Sequence, residues 1–475
     1  MSDVIKTDIC VIGAGSGGLS VAAGAVQMGA DVVLIEKSKM GGDCLNTGCI
    51  PSKALLAAGH AAHNARTASR FGISTGPVDV DFAKAMDHVH SVIAGIAPHD
   101  SVARFEELGC TVIQGEAKFT SPRELVADGK TIQAKRFVIA TGSRAAIPPI
   151  DGLENVSYLT NETIFETKTC PDHLIIIGGG PIGLEMAQAH RQLGAKVTII
   201  EMMTILPKDD HDMVDVVRTE IEALGISLYE HAKTQRVELN GDQIRVVIEQ
   251  NGADITIEGS HLLLATGRAP NVENLGLDDA GVAFDRRGIE VDARLRTTNR
   301  KIFAIGDVTG GLQFTHMAGY DAGIVIRNAL FRLPAKVNHS AVPWVTYTSP
   351  ELAQVGLNET AAREKFGDNI RVATWDYAEN DRARTEDATI GFIKVITTPK
   401  GRILGAGIVG RQAGELIGIW TLAISQKMKI AAMAGVIAPY PTLGELSKRV
   451  AGAWYTPSLF SDRTRKIVRL LLKLG

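Results

Sequence analysis

The chain has 475 residues, of which 45% are hydrophobic and 22% charged, and its formal net charge is −3. This balance excludes global disorder, and the charge provides no basic field for binding nucleic acid. The length predicts about three domains. No apolar run reaches the roughly 18 residues of a membrane span, and MSDVIKTD has no signal-peptide core, so we expect a cytoplasmic protein.

The first predicted unit, residues 8–37, is a strand, a G-x-G-x-x-G turn, a helix and a second strand. Its glycines are Gly13, Gly15 and Gly18, and Glu36 lies 18 positions after the last of them. Such glycines allow a pyrophosphate to approach the amides at a helix N-terminus, and the acid accepts hydrogen bonds from a ribose. The spacing predicts a dinucleotide-binding unit.

Residues 41–56, GGDCLNTGCIPSKALL, place Cys44 and Cys49 five positions apart. In a cytoplasmic protein such a pair is more often catalytic or metal-binding than a structural disulfide. Zinc needs four ligands, and the nearest histidines are His60 and His63. Five residues of regular helix advance by about 7.5 Å, which is too far for a disulfide, so the intervening LNTG must bend. We predict a helix after this bend, whose N-terminus favours a reactive thiolate.

The second unit, residues 173–202, aligns with residues 8–37 without a gap at a constant offset of 165. Its corresponding residues are Gly178, Gly180, Gly183 and Glu201. Two copies predict that the chain binds two dinucleotides. Glu201 would repel the 2′-phosphate of NADP(H), which favours NAD(H); loose specificity, or help from Lys208, is the alternative. Together, two nucleotide sites and a close thiol pair predict that hydride leaves NADH, enters a flavin and reduces the disulfide.

Three further strands are predicted to run into glycine turns. FVIATGSR (137–144) and LLLATGRAP (262–270) each predict a strand followed by Ala-Thr-Gly, and KIFAIGDVTGG (301–311) predicts a strand that ends at Asp307. Asp307 is a suitable carboxylate for a ribityl hydroxyl. Taken alone, each segment is also explained by an ordinary turn.

These motifs resemble those of the class I pyridine nucleotide-disulfide oxidoreductases, which include dihydrolipoamide dehydrogenase, glutathione reductase and mercuric reductase. The resemblance covers nearly the whole chain and rests on GGDCLNTGCIPSK (41–53), GGGPIGLE (178–185), ATGRAPN (265–271), AIGDV (304–308) and VTYTSPELAQVG (345–356). It implies an α/β fold with two Rossmann-type dinucleotide-binding domains and a C-terminal α+β dimerisation domain. The expected boundaries are 1–150 and 273–345 for the FAD-binding part, 151–272 for the NAD(H)-binding domain, 346–460 for the interface domain and 461–475 for a basic amphipathic tail.

The resemblance also implies the roles of individual residues. Cys49 would be the thiol next to the flavin, and Cys44 the thiol that meets the substrate. Lys53 would lie near flavin N5, held in place by Glu185. The residues implied for FAD are Gly13, Gly15, Gly18, Glu36, Lys37, Gly42, Lys53, Thr141, Gly142 and Asp307. Those implied for NAD(H) are Gly178, Gly180, Gly183, Glu201 and Gly267.

One motif departs from the family pattern. In dihydrolipoamide dehydrogenase and glutathione reductase, the partner subunit of the homodimer supplies His-Pro-x-x-x-Glu to each disulfide site. Here APYPTLGE (438–445) has Tyr440 at the His position and keeps Glu445, and no histidine follows His339. An unperturbed Tyr is a poor base at neutral pH, so we expect inefficient turnover of lipoamide or glutathione. Tyr440 matches mercuric reductases, but the last cysteine is Cys170, so the C-terminal cysteine pair that passes Hg(II) inward is missing.

The last 15 residues, SDRTRKIVRLLLKLG, predict a helix with two distinct faces. The basic face contains Arg465, Lys466, Arg469 and Lys473, and the opposite face contains Ile467, Leu470, Leu471 and Leu474. This helix either packs on its own domain or contacts an anionic membrane surface.

Three functional hypotheses follow. The first is an FAD-dependent NADH oxidoreductase, a homodimer without a resident metal, that reduces a disulfide or metal-ion acceptor through Cys44 and Cys49. The second is a diaphorase, in which the flavin passes electrons directly to quinones or oxygen. The third is a non-enzymatic redox sensor or a subunit of a larger complex. The sequence does not name the small-molecule acceptor.

Overall fold

The computed structural model describes residues 4–474 and divides into two compact units. Unit 1 comprises the chain up to Met202 together with Ser227–Val337, and unit 2 comprises Met203–Ile226 and the chain from Asn338 onward. The finer boundaries expected at residues 150, 272 and 345 stay a prediction.

The first part of unit 1 forms strands and helices in close succession. In chain order they are β1 (Val4–Ile12), α1 (Ser16–Gln27), β2 (Val32–Glu36), α2 (Gly42–Asn46), α3 (Cys49–Arg66), α4 (Phe82–Ile96), α5 (Val102–Glu107), β3 (Thr111–Gln114), β4 (Ala117–Ser121), β5 (Glu124–Ala127), β6 (Lys130–Ile139) and β7 (Ser143–Ala145).

The chain continues through the second repeat and returns to the first sheet. The elements are β8 (His173–Ile177), α6 (Pro181–Leu193), β9 (Lys196–Ile200), α7 (His211–Ala223, in unit 2), β10 (Ser227–Tyr229), β11 (Lys233–Asn240), β12 (Gln243–Gln250), β13 (Ala253–Gly259), β14 (His261–Leu264), β15 (Arg268–Pro270), β16 (Phe284–Asp285), β17 (Gly288–Ile289), β18 (Ile302–Ala304) and α8 (Thr315–Ala329).

The rest of unit 2 is an antiparallel sheet with helices. Its elements are β19 (Pro343–Thr346), β20 (Glu351–Gly356), α9 (Glu359–Phe366), β21 (Arg371–Asp376), α10 (Asp381–Thr385), β22 (Phe392–Thr397), β23 (Ile403–Gly410), α11 (Ala413–Ser425), α12 (Ile430–Ala434), α13 (Glu445–Leu459) and α14 (Asp462–Leu471).

The two sequence repeats form two parallel sheets of the dinucleotide-binding type. In the first sheet the order is β3-β2-β1-β6, these strands are parallel, β18 also pairs with β6, and β5 and β4 continue the sheet antiparallel. In the second, β10-β9-β8-β14 are all parallel. Each repeat is therefore one strand–helix–strand unit, and the expected α/β fold is confirmed.

The strand predicted to end at Asp307 is shorter than expected. β18 ends at Ala304, and Asp307 lies in a 3-10 turn over Gly306–Thr309. Gly306 has a φ of +67°, a left-handed conformation that turns the chain out of the strand before the acid is reached.

Unit 2 is built on a five-stranded antiparallel sheet of order β19-β20-β23-β22-β21. Trp420 of α11 is completely buried in its core, together with Ile408 of β23 and Val450 of α13. α7 packs against the same sheet: a Cβ on Gly407 of β23 would lie 2.7 Å from the sulfur of Met213.

The buried Lys394 of β22 pairs with acidic residues at the start of α7 and on α9. The Nζ of Lys394 lies 2.7 Å from Asp212 and 3.2 Å from Glu359, and 3.6 Å from the buried carboxylate of Asp210. Next to them, Trp344 Nε1 donates a hydrogen bond of 2.7 Å to Asp209. Between residues 4 and 474 no helix is long and apolar enough to cross a membrane.

Candidate active site

Both glycine-rich turns form close-packed cradles at helix N-termini. A Cβ on Gly18 would lie 1.8 Å from the carbonyl oxygen of Gly13, and a Cβ on Gly183 would lie 2.0 Å from that of Gly178, so neither position accepts a side chain. By contrast, a Cβ on Gly180 would meet nothing within 4 Å. The space above the helix N-terminus therefore stays open for a phosphate.

The acids that follow the two turns are anchored to them. Glu36 is buried, and its Oε2 accepts a hydrogen bond of 2.7 Å from the amide of Ala14. Glu201 Oε2 accepts a hydrogen bond of 2.7 Å from the amide of Gly179. Both carboxylates are thus fixed at the turn, where the ribose of a bound dinucleotide would meet them.

The expected bend between the two cysteines is present. α2 ends at Asn46 and α3 begins at Cys49, and Thr47 and Gly48 between them have non-helical backbone angles. Both thiols are free in this structure, Cys44 half-buried and Cys49 exposed. Cys49 Sγ also lies 3.5 Å from Thr315 Oγ1, at the first position of α8.

The two thiols have very different acidities. A hydrogen bond from the Cys44 thiol is the main cause that lowers the pKa of Cys49 to about 6, and Thr315 and the Lys53 ammonium act in the same direction. The same hydrogen bond, together with burial, raises the pKa of Cys44. At neutral pH the arrangement therefore favours one thiolate, on Cys49, and one thiol, on Cys44.

Lys53 and Glu185 are brought together from distant positions in the sequence. Lys53 lies on α3 and Glu185 on α6, and Lys53 Nζ is 2.7 Å from Glu185 Oε2. Glu185 is buried, so this ion pair restrains the ammonium four residues after Cys49.

The remaining residues expected to bind FAD, and Gly267, which is expected to bind NAD(H), lie in unit 1. Gly42 packs so closely on the first glycine turn that its Cβ would lie 2.6 Å from the Cα of Gly15. Asp307 Oδ2 accepts a hydrogen bond of 2.6 Å from Ser143, and burial raises the pKa of the Asp307 carboxyl. Thr141 donates to the carbonyl of Asn271 at 2.8 Å. Gly142 and Gly267 have positive φ in the turns after β6 and β14, and Lys37 is exposed after β2.

The two residues expected to complete the partner's site lie in unit 2. Tyr440 is 68% exposed, and its hydroxyl donates a hydrogen bond of 3.1 Å to Asp381. This hydrogen bond raises the pKa of the Tyr440 phenol further above its ordinary value of 10.0. Glu445 begins α13 and lies 3.8 Å from Arg449. Tyr440 is therefore a neutral phenol at neutral pH and a poor general base.

Four residues around the cysteines were missed by the sequence analysis: Asp43, Asn161, Arg268 and Thr315. Asp43 lies in the cysteine motif GGDCLNTGCIPSK, and Arg268 directly follows the Ala-Thr-Gly turn, so the sequence could have indicated both residues. Asn161 and Thr315 have no such signal, because only the fold brings them to the thiols.

Within residues 4–474 no group of three or more His, Cys, Asp or Glu side chains is placed to hold a metal ion.

Comparison with protein families decides the class. Residues 7–322 match the family described as pyridine nucleotide-disulphide oxidoreductase, and residues 342–451 match the dimerisation domain of the same family. The chain belongs to the pyridine nucleotide-disulphide oxidoreductases. It is an FAD-dependent enzyme of the disulfide-oxidoreductase type that uses NAD(P)H, and its dimerisation domain supports a homodimer.

Individual relatives agree with this class. The chain is 38% identical over 441 residues to a mercuric reductase of Bacillus cereus, covering 92% of this chain and 70% of that protein. It is 36% identical over 466 residues to a dihydrolipoyl dehydrogenase of Bacillus subtilis (strain 168), covering 94% of this chain and 96% of that protein.

Among solved structures, the chain is similar to the HOCl-induced flavoprotein disulfide reductase RclA from Escherichia coli. The TM-score is 0.83 at 30% identity, over 94% of this chain and 99% of that one. The Cu(II) complex of RclA gives a TM-score of 0.84 at 29% identity over the same shares.

Proposed function

We propose that this oxidoreductase passes electrons from NADH through FAD to the Cys44–Cys49 pair, and from there to a disulfide or a soft metal ion. One observation carries the proposal: the bend at Thr47 and Gly48 separates two free thiols at the start of α3, where the pKa of Cys49 is lowered to about 6. FAD, when bound, supplies the two-electron relay between the nicotinamide and the disulfide. A cytoplasmic location stays part of the proposal.

The chain's own residues divide the remaining work. The helix N-termini at Gly15 and Gly180 receive the two pyrophosphates, and Glu36 and Glu201 receive ribose hydroxyls. The Lys53 ammonium, restrained by Glu185, stabilises negative charge that develops beside Cys49.

Electrons leave the chain by thiol–disulfide exchange. The Cys44 thiol loses its proton as its sulfur attacks an acceptor disulfide, the acceptor S–S bond breaks, and the departing acceptor sulfur takes up that proton as a thiol. The Cys49 thiolate then attacks Cys44, the mixed disulfide breaks, the second acceptor sulfur takes up a proton from solvent, and the Cys44–Cys49 bond is restored. Two electrons have moved from the protein sulfurs to the acceptor. For a soft metal ion, the same two sulfurs are the ligands.

Tyr440 is a poor general base for the oxidation of dihydrolipoamide. Reduction requires a proton for the departing thiol, whereas oxidation of dihydrolipoamide requires a base. Tyr440, a phenol with a raised pKa, is a poor base at neutral pH, whereas solvent can supply the proton that reduction requires. We therefore expect Tyr440→His, with Tyr440→Phe as the control, to raise the rate of dihydrolipoamide oxidation; equal rates in the two variants would refute this role.

The preference for NADH over NADPH is supported by the second acid. Glu201 is fixed at the turn, and Met202, which follows it, is 67% exposed and uncharged. A 2′-phosphate would meet a carboxylate without a cation in EMMTIL. We expect kcat/KM to be higher for NADH than for NADPH. Met202→Arg should decrease the ratio of kcat/KM for NADH to that for NADPH. A wild-type preference for NADPH would contradict the assignment.

The electron path is tested by counting thiols during a stepwise NADH titration of the FAD-loaded protein. Wild type should gain two titratable thiols per chain, and a long-wavelength thiolate–flavin absorbance should develop. Cys49→Ser should lose both signals, and Cys170→Ser is the matched control that should keep them. No gain of thiols in wild type refutes the path. A quinone reductase rate that survives in Cys49→Ser supports direct transfer from the flavin instead.

We also infer that α14 contacts an anionic lipid surface. No residue of α14 is buried: Ile467, Leu470 and Leu471 are 48%, 61% and 58% exposed. Against these apolar side chains the segment 462–474 has five basic residues and one acid, Asp462. The helix lies beyond residue 451, where the dimerisation-domain match ends. An exposed apolar face with basic neighbours is complementary to anionic headgroups over an acyl layer.

Vesicle flotation tests this contact on the full chain. We expect binding to phosphatidylglycerol vesicles, little binding to phosphatidylcholine vesicles, and loss of binding in Arg465→Gln/Lys466→Gln/Arg469→Gln and in a chain that ends at Ser461. Equal flotation of wild type and the shortened chain refutes the contact. If shortening the chain instead converts dimers to monomers, the face is covered by a second copy.

A further inference from the structure

The segment that joins the two cysteines is held by one acidic side chain. Asp43 precedes Cys44, and its Oδ1 accepts hydrogen bonds from Thr47 Oγ1 at 2.9 Å and from Asn161 Nδ2 at 2.8 Å. Asn161 is buried and also donates to the carbonyl of Thr47 at 3.2 Å. A Cβ on Gly48 would lie 2.9 Å from Asp43 Oδ2, so the carboxylate also fills the space beside Gly48. The Asp43 side chain therefore contacts both residues of the bend, Thr47 and Gly48, that separates Cys44 from Cys49.

A mostly buried guanidinium faces the same carboxylate. Arg268 Nη2 lies 3.2 Å from Asp43 Oδ2, and the Arg268 side chain is only 13% exposed. Ser143 fixes its orientation, since it accepts from Nε at 2.7 Å through its hydroxyl and from Nη2 at 3.0 Å through its carbonyl. Arg268 is also 3.7 Å from Asp307. One guanidinium is thus shared between two carboxylates, those of Asp43 and Asp307.

Charges of both signs therefore surround the sulfurs. The Lys53 ammonium lowers the pKa of Cys49, whereas the Asp43 carboxylate raises the pKa of both thiols. The Lys53 ammonium also forms an ion pair with Glu185, and the Asp43 carboxylate forms one with Arg268.

We propose that Asp43, held by Asn161 and Arg268, is a positioning residue that lowers the reduction potential of the Cys44–Cys49 disulfide. This inference rests on the proposed function. Reduction of the disulfide takes up two electrons and one proton and gives the Cys44 thiol and the Cys49 thiolate. A fixed anion beside the sulfurs disfavours this negatively charged product. The dithiol is consequently a stronger reductant toward the acceptor than it would be without Asp43.

The test is the disulfide potential, measured by equilibrating the FAD-loaded protein with oxidised and reduced dithiothreitol and trapping the thiols. Asp43→Asn removes the charge and should make the disulfide easier to reduce by roughly three- to tenfold in the equilibrium constant, which is about 15–30 mV. Asp43→Glu restores the charge and should return the potential toward wild type. Asp128→Asn, an exposed acid of unit 1, is the matched control.

The outcomes separate this inference from the function on which it rests. If wild type never forms a Cys44–Cys49 disulfide in oxidising buffer, the proposed electron path fails. If the disulfide forms but Asp43→Asn keeps the wild-type equilibrium constant within twofold, only the role of Asp43 is refuted. Should Asp43→Asn not fold, Asp43→Ser removes the same charge with a smaller side chain and must shift the potential in the same direction.

Discussion

The unequal acidity of the two thiols gives the most direct prediction. Cys49 is a thiolate above a pH of about 6 mainly because the Cys44 thiol donates a hydrogen bond to it. A hydrogen bond to a charged group is worth about 1.5–3 kcal/mol, and 1.4 kcal/mol is about one pKa unit. Because Cys49 is exposed to solvent, we take the lower half of this range. Cys44→Ala should therefore raise the pKa of Cys49 by about one to one and a half units, whereas Cys44→Ser keeps a donor and should raise it less.

The assay is the rate of alkylation by iodoacetamide as a function of pH, in protein kept reduced. Burial raises the pKa of Cys110 to about 11 and also raises the pKa of Cys10 and of Cys170, so alkylation near neutral pH reports mainly on Cys49. The midpoint of the rate should move upward in the order wild type, Cys44→Ser, Cys44→Ala. An unchanged midpoint in Cys44→Ala would show that the hydrogen bond does not set the acidity of Cys49.

Three further predictions concern binding and stability. Gly183→Ala should destabilise the fold by about 3 kcal/mol, because its Cβ would lie 2.0 Å from a carbonyl oxygen. Gly180→Ala should keep the wild-type melting temperature and weaken NADH binding, because its Cβ would meet no atom within 4 Å. Equal melting temperatures of the two variants would contradict the predicted clash at Gly183. Burial raises the pKa of Asp209 from 3.8 to about 6, so ionisation of this carboxyl destabilises the folded state. The free energy of unfolding of Asp209→Asn, measured by urea denaturation, should therefore increase relative to that of wild type as the pH rises from 4 to 6, by at most about 3 kcal/mol. A difference that does not depend on pH would refute this expectation. Lys394→Met should lose about 3–5 kcal/mol in the same assay, because it leaves the buried Asp210 without a cation, and a stable variant would show that the ion cluster is dispensable.

The repeated strand–helix–strand units could be predicted from the sequence because their signals are local. Each glycine turn joins a buried strand to a helix, and each acid follows at a fixed distance, so no long-range information is needed. The end of β18 was placed three residues too late, since the pattern of apolar residues does not show the left-handed turn at Gly306. The assignment of α7 to unit 2 was also not predicted, because its buried face is explained equally well by any neighbouring sheet.

The sequence predicted the identity of the site residues well, but it did not predict the side chains that surround them. The Lys53–Glu185 pair was expected from the resemblance, and the two side chains are in contact. The raised pKa of Tyr440 was not foreseen, because it depends on Asp381, which is 59 residues away along the chain. The network of Asp43, Asn161 and Arg268 is likewise a product of the fold, since its members come from three separate segments.

The origin of α7 limits how this protein can be divided. The helix belongs to residues 203–226, yet its apolar side packs on strands that begin more than a hundred residues later, and its Asp212 pairs with Lys394 of one of them. A fragment cut after residue 337 would carry α7 without that cover, and its exposed Met213, Val217 and Ile221 would promote aggregation. Exchanging the C-terminal half with that of a relative would require α7 to be exchanged with it, so the exchangeable module is discontinuous in the gene.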